Sequence, residues 1–251
     1  MSDSPVSLPQ ALSEQTLAQI IDRYGLTEQH GDDGGPAMRL VSHLPMAQGE
    51  IGDMRIYTGG PLHHLVTVRI VVPAMQLDSH MLFAFMPSGS PVPHYTVDSV
   101  AAGGHFAFHL DLIPRLDLGA SLAYMDEVFS PLTEDYEAGV AIEGLAPAQL
   151  NNRQRAIMSP WMLAYRADAS AFEAITQPVN AYLAHWMSLV DQGISGAALQ
   201  GADAADLAER DRRNKAIIFN PDVDKVWAQI APLIGEDASR EIRETLATVS
   251  D

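Results

Sequence analysis

His94-Tyr95-Thr96-Val97-Asp98-Ser99-Val100-Ala101-Ala102-Gly103-Gly104-His105-Phe106-Ala107-Phe108-His109-Leu110-Asp111-Leu112-Ile113 sets the architecture of the whole chain. Two runs rich in β-branched and aromatic residues flank small residues and a Gly-Gly pair, the pattern of an antiparallel hairpin. Runs of the same kind precede it at Met54–Thr58, His63–Val72 and His80–Met86, and Pro93 opens the strand that ends at Val100. The links Gly59-Gly60, Pro73–Ser79, Pro87–Pro91 and Ala101–Gly104 are too short to hold a crossover helix. Parallel neighbours need such a crossover, so the five strands read as an antiparallel meander. Met81-Leu82-Phe83-Ala84-Phe85-Met86 is apolar throughout, which predicts a sheet covered on both faces.

Helical spacing on either side of this region supplies the covers. Leu17, Ile20, Ile21 and Tyr24 share a face, with Gly25 placed to stop the run. Thr27–Pro36 is turn chemistry and reads as a loop. Further along, Ser159-Pro160 reads as an N-cap and first helical residue. Val179, Tyr182, Leu183, Trp186 and Val190 make a stripe that ends near Gly193. Asn220-Pro221 reads as opening a helix with Val223, Val226, Trp227 and Ile230 inward and Gly235 after it, and a last helix runs from about Ala238 to Thr248. The expected fold is α/β, a three-layer α/β/α sandwich with a central antiparallel sheet. It is read as a single domain over 1–251, with a helix and loop in 1–50, the sheet in 51–115 and helical covering layers in 116–251.

The 251 residues are 47% hydrophobic and 19% charged, values of a chain that folds, and the net charge is −17. That charge repels phosphate backbones and anionic lipid, so no nucleic-acid or membrane role is expected. The most apolar stretch, Leu65 to Met75, is interrupted by Arg69 and Pro73 and is too short to span a bilayer. With no cysteine, disulfides, iron–sulfur ligation and thiolate chemistry are excluded. Met1 to Gln10 has neither a basic start nor an apolar core, so no secretory signal is read and the expected location is cytoplasmic.

Strand side chains alternate, which places His105, Ala107, His109 and Asp111 on one face and Phe106, Phe108, Leu110 and Leu112 on the other. His94, Thr96, Asp98 and Val100 share a face in the same way. If the four residues Ala101–Gly104 form the link, Thr96 falls opposite His109 and Asp98 opposite Ala107. Carboxylates and imidazoles on a covered surface are costly unless paired or serving a ligand. A binding face is therefore one reading, and a face of satisfied histidines is the other. His94, Asp98, His105, His109 and Asp111 are acceptable metal ligands, but no HxH or HExxH spacing occurs and no metal site is assigned. His63, His64 and His80 stand at strand starts, His30 in a loop and His185 beside a packing Trp. On a C-terminal helical stripe of Ala204, Leu207, Ala208, Asp211, Lys215 and Ile218, Asp211 either pairs with Lys215 or points into a pocket. Arg210, Arg212, Arg213 and Lys215 concentrate four of 15 basic residues, as an anion-docking patch or as a solvated face laced with ion pairs.

The stretches His94–Val100, His109–Leu118 and Ala123–Val128 together resemble the red chlorophyll catabolite reductases and their relatives, the ferredoxin-dependent bilin reductases. Leu110-Asp111-Leu112-Ile113-Pro114-Arg115-Leu116-Asp117-Leu118 looks like the former, and Met125-Asp126 like the latter. Arg210–Lys215 followed by Asn220-Pro221-Asp222 and Leu233-Ile234-Gly235 resembles that family's C-terminal region. The resemblance implies an open-chain tetrapyrrole bound between the sheet and the C-terminal helices. It implies reduction by single electrons from external ferredoxin, with no tightly bound cofactor, and protonation by carboxylates or a histidine. By position it implies catalytic roles for Asp98, which is Asp where the family carries Glu, and for His109, Asp126 and Asp211. Arg115, Arg212 and Arg213 would meet the propionates, with His94, Thr96, His105 and Asp111 on the substrate-facing sheet surface. A non-catalytic tetrapyrrole-binding protein on the same scaffold is the alternative, and a metal-dependent enzyme using the His/Asp cluster a more distant one.

Overall fold

The computed structural model describes residues 6–248; Met1–Pro5, part of the segment read for a secretory signal, lie outside the described residues. The first element is α1 (Leu8–Tyr24), longer than its apolar stripe because Ser7 caps it, accepting from the Gln10 N–H at 3.2 Å. Gly25 ends it in the left-handed conformation at φ 63°. Next come β1 (Thr27–Gln29) and β2 (Met38–Val41), then β3 (Glu50–Gly59), β4 (Leu62–Val72), β5 (Leu77–Phe85), β6 (His94–Ala102) and β7 (His105–Ile113). After the meander follow α2 (Leu122–Val128), α3 (Thr133–Val140), β8 (Leu145–Pro147), α4 (Asn152–Ile157), β9 (Leu163–Ala167), α5 (Ala169–Ala174) and α6 (Thr176–Gln192). The C-terminal layer is α7 (Ala204–Ile218), α8 (Val226–Ile234) and α9 (Glu236–Ala247).

All pairings are antiparallel, in the order β1-β3-β4-β5-β6-β7-β9-β8, with β2 also on β3. Helices cover both faces of this nine-stranded sheet, as an α/β/α sandwich requires. On one side Tyr95, Val97, Phe108, Leu110 and Leu112 pack with residues of α1, α2 and α6, including Tyr182 and Trp186. On the other, Val66, Val68, Phe83 and Phe85 pack with Phe219, Trp227, Ile230 and Ile242. Each such side chain contributes about 1.5–3 kcal/mol by leaving water. Among the described residues no helix is long and apolar enough to cross a membrane.

Four local expectations are corrected. Thr27–Gln29, within the expected loop, is a strand because the edge of β3 offers it partners from Thr58 to Ile56. The β6–β7 link is Gly103-Gly104 alone, with Ala102 opposite His105. Both glycines have positive φ, 57° and 83°, as a two-residue type I′ hairpin demands. Register therefore shifts by two residues from the expected one, so Asp98 stands opposite His109 and Thr96 opposite Asp111. An even shift keeps each side chain on its expected face. Ser159-Pro160 opens no helix: Ser159 gives its N–H and hydroxyl to Asp111, and the open edge of β7 recruits Leu163–Ala167 as β9. Finally, Asn220-Pro221 begins a turn rather than a helix, and α8 starts only at Val226.

Candidate functional site

The face of β6 and β7 that carries the polar residues looks toward the C-terminal helices and forms the floor of a cavity of about 240 Å³. Asp98, His109 and Thr96 lie in its floor, and Met81, Phe83 and Ile113 surround them. The opposite wall is the α7–α8 link and α8, with Phe219, Asp224 and Trp227; Met158 and Met162 close the side. The cavity is thus mostly apolar with a few convergent ionisable groups, the usual composition of a small-molecule site.

Asp98 and His109 are cross-strand partners, with Asp98 Oδ2 3.6 Å from His109 Nδ1. Burial raises the Asp98 carboxyl above its ordinary range, against the pull of His109. Burial alone would lower His109, but Asp98 first, and then Asp111 and Asp224, outweigh it and raise the imidazole. The pair therefore holds a proton at higher pH than either group would in water. Asp98 Oδ1, His109 Nε2 and Thr96 Oγ1 are buried without a hydrogen-bond partner among the described residues, so the floor retains unfilled hydrogen-bonding capacity. The Asp98 side chain is still 31% exposed, so a guest can reach it.

Asp224 is the residue that sequence reasoning missed. It follows the Asn220-Pro221 turn, where Asn220 Oδ1 accepts from the Asp222 N–H and Asn220 O from the N–H groups of Val223 and Asp224. Its Oδ1 accepts from Val226 N at 3.1 Å and from Gln154 Nε2 at 3.3 Å. Burial, then the charge of Asp98, raises its carboxyl. Reading Asn220-Pro221 as the helix start placed Asp224 inside a helix. The available signal was the second carboxylate in Asp222-Val223-Asp224, since an Asp that accepts from the N–H two residues on makes a turn of its own before a helix begins.

Asp211 takes the first of its two expected options, pairing with Lys215, and does not line the cavity. Its Oδ1 accepts from His94 Nε2 at 2.7 Å, and Lys215 Nζ lies 3.2 Å from its Oδ2. The Arg115 guanidinium is 3.6 Å from Oδ1, and all four side chains are at most 2% exposed. His94 Nδ1 accepts from the Met86 N–H at 2.9 Å, which leaves the proton on Nε2. Burial, then the charge of Arg115, holds His94 well below its ordinary value, so the ring is neutral. Burial alone would raise Asp211, but the hydrogen bond from His94 and the charges of Arg115 and Lys215 outweigh it and lower its carboxyl to about 2. Lys215 also donates to Thr248 O at 3.0 Å and sits 4.5 Å from the Phe85 ring centroid. This is a structural ion cluster behind the Ile113–Phe219 wall, and Arg115 in it is not free to meet a guest.

The other expected site residues lie elsewhere. Asp126 is exposed on α2, which packs on the opposite face of the sheet through Tyr124 and Val128. Its place in the sheet region is thereby corrected, because the apolar residues around it are spaced for a helix. His105 is exposed beside the hairpin turn. Arg212 and Arg213 are exposed and both engage Glu209, so that stretch is the ion-pair-laced face. Among the described residues no three His, Asp or Glu side chains come together in a way that would hold a metal ion.

Asp111 is fully buried and fixes the cavity's side wall, accepting from the Ser159 N–H at 2.9 Å and from the Ser159 hydroxyl. Burial outweighs these bonds and the charge of His109 and raises its carboxyl to about 6 from 3.8. A raised folded value stabilises the fold fully below the unfolded value and ceases to do so as pH rises through the folded one. Stability is expected to fall by about 3 kcal/mol between about pH 4 and 6 on this account. Asp111→Asn cannot ionise, so its stability relative to the parent should rise across that interval in urea unfolding curves; a constant difference would contradict the assignment.

Neither a scan of protein-family models nor a search of curated proteins finds a match for this sequence. Among solved structures, phytochromobilin synthase from tomato in complex with biliverdin superposes with a TM-score of 0.74, over 94% of this chain and 82% of that one, at 15% sequence identity. The chain has the fold of phytochromobilin synthase. At this identity the likeness is one of fold, an α/β/α sandwich around an antiparallel sheet.

Proposed function

We propose that the protein is an oxidoreductase that reduces an open-chain tetrapyrrole, using an external one-electron carrier such as ferredoxin. The Asp98–His109 pair on the floor of a mostly apolar cavity carries the reading. The fold supports it, since its tomato representative is solved with biliverdin.

In this reading two electrons arrive singly from two carrier molecules and two protons come from the protein, adding two hydrogens across one double bond of the guest. The radical formed by the first electron is far more basic than its parent. A carboxyl raised toward neutrality within hydrogen-bond reach then protonates it. Asp98 and His109 supply the first proton from the sheet, and Asp224 supplies the second from the facing wall. The apolar walls of Phe83, Phe219 and Trp227 exclude water and present flat surfaces to a conjugated guest. The protein itself holds no tightly bound cofactor in this scheme and works in the cytoplasm.

Anaerobic titration with biliverdin and with a chlorophyll-derived open tetrapyrrole, with and without reduced ferredoxin, tests it. The expected result is a spectral shift on mixing and bleaching of the long-wavelength band only when reductant is present. A shift that persists unchanged with reductant would make this a binding protein.

A further inference from the structure

The buried ion cluster behind the cavity wall is out of balance. Asp211 is the carboxylate on which both Lys215 Nζ, at 3.2 Å, and the Arg115 guanidinium, at 3.6 Å, depend, and neither cation has a second one among the described residues. With His94 neutral, an ionised Asp211 leaves one positive charge uncompensated among side chains at most 2% exposed. Burial lowers Lys215, but Asp211, the Thr248 carbonyl and the face of Phe85 all favour its charged form. The other titratable neighbours supply no anion. His63 and His64, with ring centroids 4.4 Å apart, face Lys215, and burial lowers both imidazoles, His64 to about 3. Arg210 and Tyr124 face Arg115, and burial keeps the Tyr124 hydroxyl protonated. In a chain of net charge −17, an interior excess of positive charge runs against the composition, and it is costly to fold.

The excess stands directly behind the cavity. His94 precedes Thr96 by two residues on β6 and shares its face, and the cross-strand partner of His94 is Ile113, which lines the cavity. Ile218, one helical turn after Lys215, and Phe219 line it as well. Lys215 Nζ sits 4.5 Å from the Phe85 ring centroid, and Phe85 meets the edge of Phe219 with centroids 6.1 Å apart. About 10 Å of ring and aliphatic side chain, a poor screen compared with water, thus separates the charge from the aromatic wall of the cavity.

We infer that Arg115 and Lys215, acting through space and without touching the guest, stabilise the negative charge that the first electron brings into the cavity. The inference rests on the tetrapyrrole reading. The external carrier gives up one electron and is oxidised, and the guest becomes a radical anion. When the Asp98–His109 pair passes it a proton, the guest becomes neutral and the pair loses one positive charge. The floor therefore keeps the added negative charge until solvent returns the proton. A fixed excess of positive charge in a poorly screened interior lowers the energy of both states and needs no reorganisation at the moment of transfer.

The test uses the biliverdin complex of the full chain, titrated anaerobically with methyl viologen at graded ratios of reduced to oxidised dye. Electron paramagnetic resonance reads the pigment radical, and a small dye needs no docking face, so the ratio at half-maximal signal reports the site. Lys215→Met and Arg115→Met each leave Asp211 with one cation, a balanced pair. Each should raise that ratio about tenfold, the effect of one charge on the order of 10 Å away at an effective dielectric of about 20. Asp211→Asn keeps the side chain's shape and an acceptor for His94, enlarges the excess, and should lower the ratio by a similar factor. Arg240→Gln, at an exposed cation on α9, should leave it unchanged. Damaged packing would move the three interior variants the same way, whereas charge moves them in opposite directions. A common direction, no shift, or failure of all three to hold biliverdin makes the cluster structural alone and overturns the inference, leaving the tetrapyrrole reading standing. A parent chain that neither holds biliverdin nor yields a radical overturns both.

Discussion

Asp98→Asn is expected to retain the bound tetrapyrrole and to slow its reduction by about 100-fold or more, the usual contribution of a positioned acid. The substitution keeps the shape of the side chain and removes its titratable proton. It also removes the charge that raises His109, whose imidazole should then titrate lower, because burial is the remaining influence of greatest weight. Residual turnover should accordingly fall away at a lower pH than in the parent. Single-turnover absorbance traces across pH 6 to 9 would show both effects. Undiminished turnover with an unchanged pH profile would remove the Asp98–His109 pair as the proton source.

Asp211→Ala is expected to cost about 3–5 kcal/mol of stability, since it strands Lys215 and Arg115 in the interior without their counter-ion. It also leaves the Nε2–H of His94 with no acceptor. The same ion cluster has a pH signature of opposite sign to that of Asp111. Asp211 is lowered from 3.8 to about 2, so its stabilisation is complete above the unfolded value and is lost as pH falls through that interval. Chemical denaturation of the parent and the variant measures the first effect directly. A variant with the parent's unfolding midpoint and lost turnover would return Asp211 to the catalytic role that the sequence resemblance gave it.

What could be read in advance divides along physical lines. Strands β3 to β7 were legible because their runs are long and rich in β-branched and aromatic residues and their links are short. The covered faces followed from the unbroken apolar run at Met81–Met86. By contrast, β1, β8 and β9 are three to five residues long and form because a neighbour offers an open edge, which no local pattern records. Ser159 shows the same override at a single residue, since a good cap was taken by a buried carboxylate 48 positions away. For the site, the alternation of β6 and β7 placed Asp98 and His109 on one surface despite the wrong register, because parity survives a shift of two. The partners of Asp211 were only half visible. Lys215 at i+4 lies within the helix pattern, whereas His94 is 117 positions away. Asp126 and Asp224 exchange importance for a related reason: distance from the cavity is a tertiary fact, and both look alike as single carboxylates in the chain.

The central claim is that a conjugated guest occupies the space over Asp98 and His109, and the induced circular dichroism of biliverdin addresses it most directly. In solution the free pigment interconverts between mirror-image helical forms, and seating it in this asymmetric cavity should select one. Ala107 lines the cavity floor beside His109, so Ala107→Trp should fill the space while suiting a strand. The account predicts a strong visible-band dichroism with the parent chain and its loss with Ala107→Trp at an unchanged unfolding midpoint. No dichroism with the parent, or an equal signal from the filled variant, would contradict it.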